Sequence, residues 1–228
     1  MLPIDSGNAV HATALSLTAT AFGLNLFQMA ALGPLVFAAV ASEQLSQQLQ
    51  QTYLDVLVFP LLTFVAATLL GVGLYIRRNQ DQALLRLGLT MPTARQLLVV
   101  VAVTVALIGL AIVTEQLWAA VDPQSLEQVG GLSKALLGNM TGLAGAFAIG
   151  AAAAIGEEGF FRGAYQPRMG LVLTALLFAS FHVQYGITPA TVLVLFIGLV
   201  LGVIRQRASL TACILVHFLY NFISVLIS

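Results

Sequence analysis

Six polar residues in the last third of the chain carry groups able to activate water and to stabilise an oxyanion: Glu157, Glu158, Arg162, His182, His217 and Asn221. The two glutamates are adjacent. They follow Ala151-Ala152-Ala153-Ala154-Ile155-Gly156 and precede Gly159-Phe160-Phe161. A carboxylate is costly to keep inside a hydrocarbon-length segment, so an intramembrane acid marks a functional site by default. A glutamate and a histidine that share a water can remove its proton as it attacks a carbonyl carbon. A second histidine and an asparagine amide are suitable donors to the oxyanion that forms. No serine stands in the strand-turn-helix context of a hydrolase nucleophile. Water-activated amide hydrolysis is the chemistry this set fits best.

Spacing and depth bring these residues together. Glu158 and Arg162 are i,i+4 in the favourable order of acid before base, and His217 and Asn221 are likewise i,i+4. Phe178 and His182 share the same relation. Glu157 lies about 100° around a helix from Glu158, which leaves Glu158 for Arg162 and directs Glu157 toward a cavity. Counted from the turns at Pro167–Gly170 and at Arg207, Glu157, His182 and His217 all fall roughly 15–18 Å deep at 1.5 Å per residue. That is near the middle of a hydrocarbon core about 30 Å thick.

The elements that must hold them are membrane helices. Apolar residues make up 59% of the 228-residue chain and charged residues 8%, against about 25% charged in soluble domains. The apolar runs are continuous and of spanning length, unlike the alternating segments of a β-barrel. The expected fold is all-α, a polytopic transmembrane bundle of about seven spans. They lie near 20–41, 53–76, 97–119, 141–166, 171–186, 190–204 and 208–227, in one integral membrane domain over 1–228. Gly33-Pro34 is expected to kink the first span. The stretches Ser42–Gln51, Arg77–Arg95 and Asp122–Lys134 read as loops, with Arg86-Leu87-Gly88-Leu89 on the membrane surface. Arg77, Arg78, Arg86, Arg95, Arg162, Arg168, Arg205 and Arg207 fall on one side and only Lys134 on the other, which by the positive-inside rule makes the N-terminus cytoplasmic. Small residues from Gly142 to Ala154 suit close helix packing. Zero formal charge gives no basic patch for nucleic acid, and the single Cys213 excludes an internal disulfide.

Three motifs, in order and each inside an apolar span, resemble a known family. Glu157-Glu158-Gly159-Phe160-Phe161-Arg162 resembles the EExxxR motif of the CPBP intramembrane proteases, which include CAAX-processing endoproteases and bacteriocin-processing or abortive-infection proteins. Phe178-Ala179-Ser180-Phe181-His182 is similar to the family's FxxxH, and His217-Phe218-Leu219-Tyr220-Asn221 to its HxxxN. Phe196 to Gly202 and Ser209-Leu210 resemble the run that precedes the last motif. The resemblance covers about 140–228 and leaves the spans over about 20–119 generic. Gly159 departs from the larger apolar residue often found after the glutamates.

The resemblance implies a CAAX-protease-like core and a metal-independent glutamate endopeptidase with no cofactor. It implies that Glu157 and His182 activate water, that His217 and Asn221 stabilise the oxyanion, and that Glu158 and Arg162 support the site. Phe178 is expected to pack beside it. The substrate class is a small membrane-associated peptide, lipidated or not, and the expected location is the bacterial plasma membrane. Two other readings stand beside this one. Glu157, His182 and His217 would make a one-carboxylate, two-histidine zinc set, although HExxH is absent. The same buried groups would also serve a proton-coupled transporter, and the chain could be a scaffold or immunity protein. Outside the set, Cys213 reads as a small buried residue rather than a thiol partner of His217. Arg205 and Arg207 read as topology signals, and Trp118 and Tyr53 as interface anchors.

Overall fold

The computed structural model describes residues 8–32, 57–137, 140 and 142–227, and these form helices joined by turns, without a named strand. Helix α1 runs over Ala9–Phe27 and continues as a π turn, Gln28–Leu32. The weakly apolar stretch from His11 to Thr20 thereby extends the first span. The Gly33-Pro34 kink, the polar stretch Ser42–Gln51 and Tyr53 lie outside the described residues. Helix α2 covers Phe59–Val72, α3 Gln80–Leu87, α4 Ala94–Val121 and α5 Pro123–Leu137. Helix α6, Gly142–Glu158, passes into a π-helical segment, Gly159–Tyr165, and then α7, Gln166–Met169. Helix α8 is Leu171–Ser180, α9 Pro189–Arg207 and α10 Leu210–Ile227.

Five helical stretches among the described residues are long and apolar enough to cross a membrane: His11–Ala31, Ala94–Val121, Gly142–Met169, Pro189–Arg207 and Leu210–Ile227. Phe59–Val72 and Leu171–Ser180 are apolar but shorter. The expected span over 171–186 is therefore helical only to Ser180. Beyond it come the 3₁₀ turn Val183–Tyr185 and an irregular approach to Pro189.

Two expected loops contain helices. Within Arg77–Arg95, Asn79 caps α3 through a reciprocal box with Gln82, and Gly88 ends it at φ 71°, a left-handed conformation that favours glycine. Thr93 and Gln96 form the same box at the start of α4. Within Asp122–Lys134, α5 folds back on the end of α4. Its Val129 and Leu132 bury Trp118, which is 6% exposed and hence a core residue rather than the expected interface anchor.

The bundle is built around α6 and the π segment. Helix α10 packs along α6, and α2 packs against both α6 and the π segment. Glycine permits these approaches. A Cβ at Gly150 would meet the Phe218 carbonyl oxygen at 3.1 Å, and one at Gly156 the Phe64 Cβ at 3.2 Å. The arginines gather at one end. Arg205 is more than a charge signal there, because its Nε donates to the Arg162 carbonyl and its Nη2 to the Leu87 carbonyl, tying α9 to the π segment and to α3.

Candidate active site

The π-helical segment starts directly after the adjacent glutamates. A π turn adds a residue to the helical repeat and is frequent at functional sites. Glu158 and Arg162 both lie fully buried. Arg162 Nη1 is 2.8 Å from Glu158 Oε1, and its Nη2 donates to the Gly198 carbonyl on α9 at 3.1 Å. The guanidinium lies 4.2 Å from the centroid of the Phe178 ring, within cation–π range. Phe178 is thus the floor of the ion pair as well as a packing residue, touching both histidine rings, at 4.9 Å from His182 and 6.1 Å from His217.

The same Glu158 Oε1 holds the second motif residue on α10: His217 Nδ1 is 2.8 Å away. An ionised carboxylate only accepts, so His217 carries its proton on Nδ1 and turns Nε2 the other way. His182 follows the end of α8, with φ −92° and ψ 52°. Its ring still reaches back one turn, and its Nδ1 meets the Phe178 carbonyl at 2.9 Å. A carbonyl also only accepts. The Nδ1 proton is thereby fixed, and Nε2 of a neutral His182 is a bare lone pair.

His182, His217 and Asn221 line one cavity of about 180 Å³, with Phe178, Tyr185 and Tyr220 in its wall. Glu157 is half-buried beside it and is not among the lining residues. Its Oε2 is buried without a protein partner. Tyr185 and Tyr220 escaped the sequence reading. Tyr185 stacks on His182 at 5.9 Å and 15° between planes, three residues along the chain. Tyr220 is the neighbour of Asn221, so adjacency to the motifs was the available signal in both cases. Cys213 is buried and its thiol points to the Leu201 and Ser209 carbonyls, at 3.3 and 3.4 Å, away from any imidazole partnership.

Among the described residues no three His, Cys, Asp or Glu side chains gather in a metal-holding arrangement. Each histidine commits Nδ1, one to a carboxylate and the other to a carbonyl, and leaves Nε2 open.

The motifs lie within a segment that is similar to known proteins. Residues 139–223 match the family model described as type II CAAX prenyl endopeptidase Rce1-like. No curated protein and no solved structure matches the chain. The matched segment contains every residue of the candidate site. Together with the apolar helices, it supports an integral membrane protein that carries an endopeptidase-like segment. The segment 139–223 is thus similar to the Rce1-like endopeptidases, and the resemblance covers that part of the chain.

Proposed function

We propose that the chain is an intramembrane glutamate endopeptidase that hydrolyses a peptide bond of a small membrane-associated or lipidated peptide. The observation that carries this reading is the shared cavity of His182, His217 and Asn221, with His217 clamped from behind by the buried Glu158–Arg162 pair.

The hydrogen bonds at Nδ1 support one division of roles, with His182 neutral and His217 doubly protonated against Glu158. His182 offers a lone pair at Nε2 and Glu157 an unpartnered carboxylate oxygen. Between them they take the proton of a water as its oxygen bonds to the scissile carbonyl carbon. The carbonyl π electrons move to oxygen. That oxyanion meets the Asn221 amide and the Nε2–H of a doubly protonated His217, whose positive charge Glu158 compensates. Collapse of the tetrahedral intermediate breaks the C–N bond, and the stored proton goes to the leaving amine. Arg162 stops Glu158 from rotating away from His217, and the aromatic wall excludes bulk water. The chain needs no metal for these steps.

The arginine-rich end is the cytoplasmic one by the positive-inside rule, with the N-terminus on the same side. The test is hydrolysis of lipidated and unlipidated peptides by purified protein in heavy-oxygen water, with products read by mass spectrometry. One heavy oxygen in the new carboxyl terminus after a single turnover, with no acyl-enzyme trapped by added hydroxylamine, supports direct water attack, since a Ser or Cys acyl-enzyme would take up the same label but be trapped. Unlabelled product from a single turnover points to an enzyme-derived nucleophile and overturns the mechanism. Absence of cleavage by folded protein across the panel favours the transporter or scaffold reading.

A further inference from the structure

A second cavity, of about 790 Å³, opens at the arginine-rich end of the bundle, away from the histidines. Arg86 of α3 and Arg205 of α9 line it. Neither side chain is free to swing. Arg86 Nη1 donates to the Gly163 carbonyl at 3.4 Å, and Arg205 is tied to two carbonyls at 3.0 Å. Neutral carbonyls orient a guanidinium without cancelling its charge. Arg78 is held in the same way by the Val72 carbonyl. Among the described residues none of Arg78, Arg86, Arg168 and Arg205 forms an ion pair, since the paired guanidinium is that of Arg162. Burial, and then the charges of Arg168, Arg78 and Arg205, push the Arg86 guanidinium below its ordinary range. Like charges held together in this way, with no acid to match, favour an anion.

The rest of the cavity wall says which kind of anion. Leu173 and Leu176 line it, and Val172, also in the wall, is 62% exposed on the outer face of α8. A cationic pocket that continues into an apolar wall on a membrane helix matches a phosphate group attached to acyl chains. Basic pockets of this kind between helices at the cytoplasmic side take anionic lipid headgroups.

We propose that this cavity is a binding site for an anionic phospholipid, with its phosphate at Arg86 and Arg205, Arg168 at the rim, and an acyl chain along Val172, Leu173 and Leu176. Arg205 also holds the carbonyl of Arg162, so an occupied site would brace the π segment that carries the ion pair.

Delipidated protein in detergent would be titrated with dioleoylphosphatidylglycerol, with dioleoylphosphatidylcholine and with inorganic phosphate, and bound molecules counted by native mass spectrometry. The expected result is one phosphatidylglycerol held at least about fivefold more tightly than phosphatidylcholine, the discrimination that about one arginine supplies. Arg86→Gln and Arg168→Gln should each lower that preference, Arg86→Lys should retain most of it, and Arg77→Gln should leave it unchanged. The unfolding midpoint without lipid identifies any variant that has lost its fold, and Arg168→Gln, on an exposed side chain, is the variant expected to keep it. Equal affinity for the two lipids, an unaltered preference in folded Arg86→Gln and Arg168→Gln, or an equal loss in Arg77→Gln would overturn the site. Inorganic phosphate binding as tightly as phosphatidylglycerol would overturn the lipid assignment in favour of a free anion.

Discussion

His217 Nδ1 and Glu158 Oε1 stand 2.8 Å apart across 59 residues of sequence. The contact joins α10 to the end of α6, and the same carboxylate oxygen accepts from Arg162. One buried atom therefore fixes both the orientation of His217 and the charge balance around it. Glu158→Gln removes that charge while keeping the shape. Cleavage should fall by about 10²–10³-fold, as when an oxyanion donor is lost. Glu158→Ala leaves Arg162 buried and unpaired, and should also cost about 3–5 kcal/mol of stability. Turnover and the thermal unfolding midpoint, measured on the same preparations, separate these effects.

Arg162→Lys should not rescue the site. The guanidinium reaches Glu158 with Nη1 and the Gly198 carbonyl with Nη2, while a lysine offers one point charge. Thermal unfolding and turnover should both drop, and wild-type activity in the lysine variant would show that the second contact is idle.

Phe178→Leu keeps an apolar side chain but loses the ring face 4.2 Å from the guanidinium. A loss of about 0.5–2 kcal/mol is expected, the range for a cation over an aromatic ring. The readout is the shift in unfolding midpoint relative to Phe181→Leu, whose ring does not hold the cation.

Gly150→Val should separate α6 from α10. The added Cβ meets the Phe218 carbonyl at 3.1 Å, and Phe218 adjoins His217. Overpacking of this sort costs about 1–3 kcal/mol, and here it also moves a site residue. Cleavage should fall even where the protein stays folded, whereas Gly23→Val, in open space, should alter neither quantity.

Much of this site is legible in the sequence because its signals are local or topological. The spacing of Glu158 and Arg162 gives an i,i+4 pair, and depth counting from the arginine-rich turns places the histidines at one level. What escaped required three dimensions. The end of α8 at Ser180 is hidden because Phe181 and Val183 continue the apolar run. The π segment is hidden because Gly159 and Gly163 read only as small residues. Helix α5 passes for a loop because its polar face dominates the composition, yet Val129 and Leu132 bury Trp118. The bond between His217 and Glu158, rather than one between His217 and Glu157, depends on which way α6 is rotated, and adjacent glutamates leave that rotation open.

The central claim is that Glu157 and His182 activate water without a metal. The decisive measurement is turnover of a fluorogenic peptide by wild type, Glu157→Ala and His182→Ala, each with and without chelator. The account predicts wild-type cleavage unchanged by chelator and a loss of about 10²–10⁴-fold in each variant, the scale of general-base catalysis. Wild-type cleavage abolished by chelator and restored by zinc, or full activity in folded Glu157→Ala, would contradict it.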